Sequence, residues 1–357
     1  MTAIMVFVLR DQTSQVRWLE TAEVGVGVYE MGNKGAVGVR MGWSIGDETL
    51  ELCFVSAHLA PMEDALQRRN EDWKNVVRGL VFKPVSPTAV RKSTTQRLPH
   101  ESSSDDTETL LSPTEDAGED SIPPMTGIYS PTTHLIFAGD LNYRTSSTKP
   151  SENAYLTYPQ PTKNISAPEH YSHLLSSDQL TPERLAGRTL HGLQEAPIDF
   201  PPTYKYSEKA RASAPISDAS EYWDWSKHRY PSWCDRILYL DMPPWMKRVR
   251  IQVQGYKALP LMATSDHRPV ACSFSIPAKP ITEPAKEEEE EAGLDVRLVP
   301  PFGIDPLWRE KREAARTKEV VVGIASYLAL TWEGRGIFIA VVFGAVGGWA
   351  VVGSLLQ

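Results

Sequence analysis

Two side chains able to act on a phosphoryl group stand two positions apart in Phe137-Ala-Gly-Asp-Leu-Asn-Tyr-Arg144, where an apolar run ends in glycine and then presents Asp140 and Asn142. Alternation along an extended chain points both to one face. A carboxylate there can orient or deprotonate water, and an amide can donate to a phosphoryl oxygen. Both residue types also stabilise turns, so the pair alone reads equally as a strand-end turn. Three more clusters repeat the arrangement. Thr264-Ser-Asp-His-Arg-Pro-Val270 sets Asp266 and His267 at the mouth of an apolar run, and Val55-Ser-Ala-His-Leu59 ends a β-rich run on His58. In Pro231-Ser-Trp-Cys-Asp-Arg-Ile-Leu238, Asp235 opens a strand beside Arg236. A lone His in such a place is more often structural, but a carboxylate such as Asp235 can hold His267 in a working tautomer.

These residues need strands to position them. The runs 4–9 (IMVFVL), 24–29 (VGVGVY), 36–43 and 50–58 are rich in β-branched residues and predict neighbouring strands. Over 62–82, Ala65, Leu66, Trp73, Val76, Val77 and Leu80 recur at helical spacing, which predicts an amphipathic helix against the sheet. Further strands are expected at 134–138, 236–240 and 270–276, with a short helix at 181–186. Strands mixed irregularly with helices indicate a layered α/β or α+β domain over 1–276.

The stretch 83–133 is rich in Ser, Thr, Pro, Asp and Glu and offers too little apolar surface to offset ordering entropy, so it reads as a disordered insertion. A Pro/Glu-rich linker is expected over 277–305, kept extended by the charge run at 287–291. A basic amphipathic and then short apolar segment follows at 306–335, and 336–357 reads as a transmembrane anchor. Arg309, Lys311, Arg312, Arg316, Lys318 and Arg335 precede that anchor, which predicts a catalytic domain facing the cytosol.

The 357 residues carry a formal net charge of −8, which excludes a general affinity for nucleic acid. Three widely spaced cysteines, Cys53, Cys234 and Cys272, lack zinc or thiol-redox spacing. With that net charge, any phosphate the chain binds must be held by a local cluster of Lys and Arg, although any one such residue alone reads as solvated charge.

Taken together the clusters resemble the inositol-polyphosphate 5-phosphatases, a branch of the endonuclease/exonuclease/phosphatase superfamily. The resemblance rests on Met31-Gly-Asn-Lys-Gly35, Ser56-Ala-His-Leu59, Arg69-Asn70 with Asp72, Gly139-Asp-Leu-Asn-Tyr-Arg144, Pro202-Thr-Tyr-Lys205, Trp233-Cys-Asp-Arg-Ile-Leu238 and Ser265-Asp-His-Arg-Pro269, in the family's order. It implies an α/β two-sheet sandwich with a site where strand ends meet. It implies that Asp140 activates water, that Asn142 and His58 bind the scissile phosphate, and that Asp235 orients His267 against that phosphate. Asp266 would sit beside Mg²⁺, a hard cation suited to carboxylate oxygens. Asn33 and Lys34 would lie near an inositol 1-phosphate, and Tyr204, Lys205 and Arg229 near a 4-phosphate, with Arg236 in support.

The family's first strand and its Gln-Glu pair, whose Glu is the principal metal ligand, have no counterpart in these residues, so the catalytic domain is expected to be N-terminally incomplete and the chain to turn over poorly by itself. The leading expectation is a membrane-anchored, Mg²⁺-dependent 5-phosphatase acting on phosphoinositides or inositol polyphosphates. The alternative is a catalytically silent, membrane-anchored phosphoinositide-binding protein, and a nuclease ranks behind both.

Overall fold

The computed structural model describes residues 2–85, 126–214, 222–247, 249–284, 293 and 295–355. A mixed six-stranded sheet runs in the order β4 (Lys83–Pro84), β1 (Val16–Gly25), β2 (Gly35–Ile45), β3 (Glu48–His58), β5 (Thr133–Asp140) and β6 (Asp235–Tyr239). Among the described strands, only β3 and β5 pair in parallel. A second, two-stranded antiparallel sheet is formed by β7 (Gln252–Ala258) and β8 (Val270–Ser275). The fold is therefore α/β, with the expected second sheet present as a hairpin.

Helix α1 (Leu66–Gly79) lies on the large sheet because Arg69, Asp72, Trp73, Val76 and Val77 recur on one face and are buried. Trp73 is fully buried and meets Phe137 of β5 edge-on at 5.2 Å, tying helix to sheet in the centre of the core. Short helices α2 (Ser172–Leu175), α3 (Leu180–Leu185) and α4 (Glu208–Ser213) lie in the long connection from β5 to β6. Helices α5 (Trp308–Leu330) and α6 (Trp332–Leu355) follow the domain.

Several expectations need correction. Residues 4–9 form no strand: none of the described strands pairs with them, and Met5 and Phe7 are 80% and 86% exposed. β-forming composition does not make a strand without a partner's free backbone groups. The strand expected over 24–29 ends at Gly25, and the chain turns through Tyr29 and Glu30 with positive φ. Of the expected insertion, 86–125 lies outside the described residues, whereas its flanks belong to the domain. Lys83–Pro84 pairs with β1, and Ile128 and Tyr129 are buried in the core. Part of the expected linker is likewise packed. Val296 and Phe302 lie against the main core, and Arg297 is buried with Nη1 3.1 Å from Asp295 Oδ2. Their apolar side chains and the Arg297–Asp295 ion pair hold these residues to the domain. Residues 285–292 lie outside the described residues.

The anchor segment is helical as α6, but among the described residues no single helix is long and apolar enough to cross a membrane. Trp308–Leu330 and Trp332–Gly347 meet that test only as a pair, bent by 94°.

Candidate active site

Register alone brings three candidates together. Parallel pairing of β3 with β5 sets His58 opposite Asp140, and antiparallel pairing of β5 with β6 sets Asp140 opposite Asp235. Gly139 makes this close approach possible, because its φ is +146° and a Cβ there would fall 1.9 Å from the Ala57 carbonyl oxygen. His58 Nε2 lies 3.2 Å from Asp140 Oδ2. The loop before β8 delivers His267, whose Nδ1 is 2.8 Å from Asp235 Oδ2. Thr203 Oγ1 donates to the same oxygen at 2.7 Å from a fully buried position. Asp140, Asp235 and His267 thus offer ligand atoms that all lie within 4.8 Å of one another. Each stays partly exposed, so the group opens to solvent at the strand ends.

Electrostatics separate the two carboxylates. Burial pushes Asp140 up, but the His58 hydrogen bond and the charges of His267, His58 and Arg144 outweigh it and hold its carboxyl below the ordinary range. For Asp235 burial dominates, assisted by the nearby Asp140 charge, and its carboxyl is raised despite the His267 hydrogen bond. Burial opposes charge on His267 too, yet its hydrogen bond to Asp235 and the charges of Asp235, Asp140 and Asp266 raise the imidazole above its usual value. The arrangement supplies an ionised carboxylate that can accept a proton and an imidazole that holds one.

The other predicted residues divide into those at the group and those away from it. Asn142 has φ +58° and is buried, with Nδ2 donating to the Leu59 carbonyl at 3.1 Å and Oδ1 accepting from Arg144. Lys34 stands inside the group, with its Nζ against His58 Nε2, the same nitrogen that faces Asp140. Burial lowers the Lys34 pKa against the raising effect of Asp140. Asn33 is exposed beside it, on a loop closed by hydrogen bonds from Val26 N to the Lys34 carbonyl and from Gly27 N to the Met31 carbonyl. Tyr204 sets its ring 4.6 Å from that of His267, tilted by 42°. Lys205 Nζ is 2.7 Å from Asp266 Oδ2, so Asp266 faces a lysine and is not one of the three clustered ligand residues. Burial raises Asp266, but Lys205 and His267 leave its carboxyl below the ordinary value. Arg229 lies 3.4 Å from Glu63 and lines a cavity of about 560 Å³ with Lys149, Lys227 and His228.

Arg236 is a correction. Its side chain is fully buried between Asp178 and Glu195, at 3.0 and 2.5 Å, and cannot touch a substrate. The sequence shows a cation next to Asp235, but strand alternation turns it to the opposite face. Sequence reasoning assigned no role to Thr203 or Arg144, although both lie within the quoted motifs. Arg144 stacks over Tyr204 at 4.5 Å while holding Asn142.

Comparison with known proteins follows the same lines. The sequence matches Endonuclease/Exonuclease/phosphatase family 2 over residues 1–273. It is 31% identical over 298 residues to the type II inositol polyphosphate 5-phosphatase 15 of Arabidopsis thaliana, covering 80% of this chain and 24% of that protein. It is 26% identical over 282 residues to the type II inositol 1,4,5-trisphosphate 5-phosphatase of Mus musculus, covering 78% of this chain and 22% of that one. The chain therefore spans about a quarter of the length of these curated relatives. Among solved structures, the inositol polyphosphate 5-phosphatase domain of SpSynaptojanin, crystallised with inositol (1,4)-bisphosphate and calcium, aligns with TM-score 0.46 and 21% identity. That alignment covers 87% of this chain and 65% of that one.

Proposed function

From the premise that the chain belongs to endonuclease/exonuclease/phosphatase family 2, we propose that it is a Mg²⁺-dependent phosphomonoester hydrolase. It removes the 5-phosphate from phosphoinositides or inositol polyphosphates at a membrane surface. The observation that carries the reading is the row of His58, Asp140 and Asp235 on adjoining strand ends, with His267 held against Asp235.

Asp140, kept ionised by its neighbours, accepts a proton from the attacking water. His267, with Nδ1 committed to Asp235, presents Nε2 to a phosphoryl oxygen and offers the proton its raised pKa retains. Lys34 adds a positive charge beside His58. The donor set fits a hard divalent cation, because two carboxylates and an imidazole offer ligand atoms within 4.8 Å of one another. Asp235 would contribute to holding Mg²⁺ through the oxygen that Thr203 and His267 leave free, while Asp140 remains the base and His267 a hydrogen-bond donor. When bound, the cation supplies neutralisation of charge on the transferring phosphoryl group.

Membrane attachment is part of the same proposal. Exposed Ile337, Phe338, Val341, Val342, Phe343 and Val346 give α6 an apolar surface, and its charge-free part from 336 to 355 spans ~30 Å at ~1.5 Å per residue, the thickness of a hydrocarbon core. The basic residues before it keep the catalytic domain in the cytosol. Deleting residues 336–357 should move the chain from the membrane pellet to the soluble fraction, and unchanged pelleting would count against the anchor.

The direct test of the function is Mg²⁺-dependent phosphate release from a soluble 5-phosphorylated inositol, with His267→Ala beside the native chain. Loss of release in the variant supports the reading. Tight binding of substrate by the native chain without release would instead make it a silent phosphoinositide-binding protein.

A further inference from the structure

Helix α5 is one unbroken helix with two unlike halves. Its first half lies on the catalytic domain: Trp308 and Ala315 are buried, and Lys311 Nζ donates at 2.7 Å to Asp305 Oδ2, which itself lies 3.7 Å from Arg78 of α1. Arg312 hydrogen-bonds Glu23 at the end of β1, and Lys318 Nζ stands 5.6 Å from the Tyr29 ring centroid. Glu319 Oε1 accepts the backbone N–H of Gly32 at 2.5 Å. From residue 320 to 330 the helix carries no charge, and Val320, Val321, Ile324, Tyr327 and Leu330 are exposed.

The docked half grips one loop in particular. Tyr29 and Gly32 belong to the loop that carries Asn33 and Lys34, and Lys34 reaches His58, which in turn pairs with Asp140. A single rigid element thus joins an apolar segment to the substrate side of the site. The bend between α5 and α6 is 94°. With α6 across a bilayer, such a bend lays α5 along the surface, its apolar half at headgroup depth, as interfacial helices lie. Lying along the surface, α5 then holds the loop close to the headgroups, with ~16 Å of helix between residues 319 and 330 measured in the plane of the bilayer.

We propose that α5 is a strut that aims the mouth of the site at the bilayer holding α6, so that the chain hydrolyses phosphoinositide headgroups in its own membrane in preference to those of another membrane. The proposal rests on the phosphatase and anchor readings above, and it names lipid in cis as the substrate class. A rigid joint keeps the site in a productive orientation, whereas a flexible tether spends most of its time misaligned.

The experiment reconstitutes the full chain in vesicles and compares it with a variant carrying about eight Gly/Ser residues between Glu319 and Val320, a length that behaves as flexible coil. Phosphate release is followed from a 5-phosphorylated phosphoinositide in the same vesicles, from the same lipid in separate protein-free vesicles, and from a soluble inositol polyphosphate. The native chain should act faster in cis than in trans. The insertion should lower the cis rate about fivefold and leave the soluble rate unchanged, which also shows that the variant is folded. Equal cis rates for the two chains overturn the strut, and so does a parallel fall on soluble substrate, which would mean that α5 acts on the loop itself. A native chain that fails to float with vesicles removes the anchor and the proposal with it. A native chain that floats but releases no phosphate from any substrate removes the phosphatase reading and the strut's purpose together.

Discussion

Replacing Arg236 with Met tests whether this arginine holds the fold or the substrate. Its Nε and Nη2 donate to Glu195 at 2.6 and 2.5 Å, and its Nη1 donates to both oxygens of Asp178 at 3.0 and 3.1 Å. The three side chains are 0%, 1% and 4% exposed. Met keeps much of the length but leaves two buried carboxylates with no counter-charge. Breaking a buried pair costs ~3–5 kcal/mol, and because one guanidinium serves two acids here the upper end applies. At ~2–4 °C per kcal/mol for a domain of this size, Tm should fall by ~10–20 °C. Urea and thermal unfolding followed by near-UV circular dichroism measure it. The triple variant Arg236→Met/Asp178→Leu/Glu195→Met should recover at least about half the loss, since no lone charge remains buried. At a temperature where Arg236→Met is folded, KM should stay within about twofold of the native value, because no substrate touches a residue with zero exposure. The reasoning fails if Arg236→Met lies within about 1 kcal/mol of the native chain, or if it stays equally stable while KM climbs about tenfold.

Thr203→Val removes a hydrogen bond to the Asp235 oxygen that also faces His267, so kcat should fall about tenfold with KM little changed; a rise in KM alone would contradict a positioning role. Lys205→Ala should raise KM more than it lowers kcat, as a remote phosphate contact present in ground and transition states alike predicts. A pure kcat defect would rule that contact out. Burial, reinforced by the Arg297 charge, pushes His134 down to about 4 from an ordinary 6.5. Between those pH values the unfolded chain holds the extra proton, so stability is retained above pH 6.5 and lost as pH falls toward 4, by up to ~3 kcal/mol. His134→Phe should flatten the fall in unfolding free energy between pH 7 and 5 by ~2 kcal/mol, and identical slopes in both chains would refute it.

The strands that frame the site were legible because their patterns are local. The runs ending at His58 and Ala138 announce themselves as strands, and the helix around Trp73 shows its buried face at helical spacing. Which strand neighbours which is not local, and the pairing that sets His58 opposite Asp140 and Asp140 opposite Asp235 had to come from the structure. The apolar run 4–9 misleads for a related reason: propensity names a candidate strand, but hydrogen-bonding partners decide it. Arg236 misleads through alternation, since adjacency to Asp235 in sequence means opposite faces in a strand. Lys34 lay in a recognised motif, yet its contact with His58 depends on a loop closing across the end of β3. The acidic run at 287–291 lies outside the described residues, and its charge pattern says nothing about Arg297 and Phe302, which pack against the domain a few residues later.

The central claim is that Asp140 and its strand-end neighbours form a phosphohydrolase centre. It is tested most directly by measuring Mg²⁺-dependent release of phosphate from inositol 1,4,5-trisphosphate, with Asp140→Asn beside the native chain and substrate binding measured for both. The account predicts slow but Mg²⁺-dependent release of the 5-phosphate by the native chain, in line with the poor turnover expected from the sequence, and a further loss of about 10³-fold in kcat for Asp140→Asn, an order expected for removal of a general base, with binding retained. Near-native turnover by Asp140→Asn would contradict it.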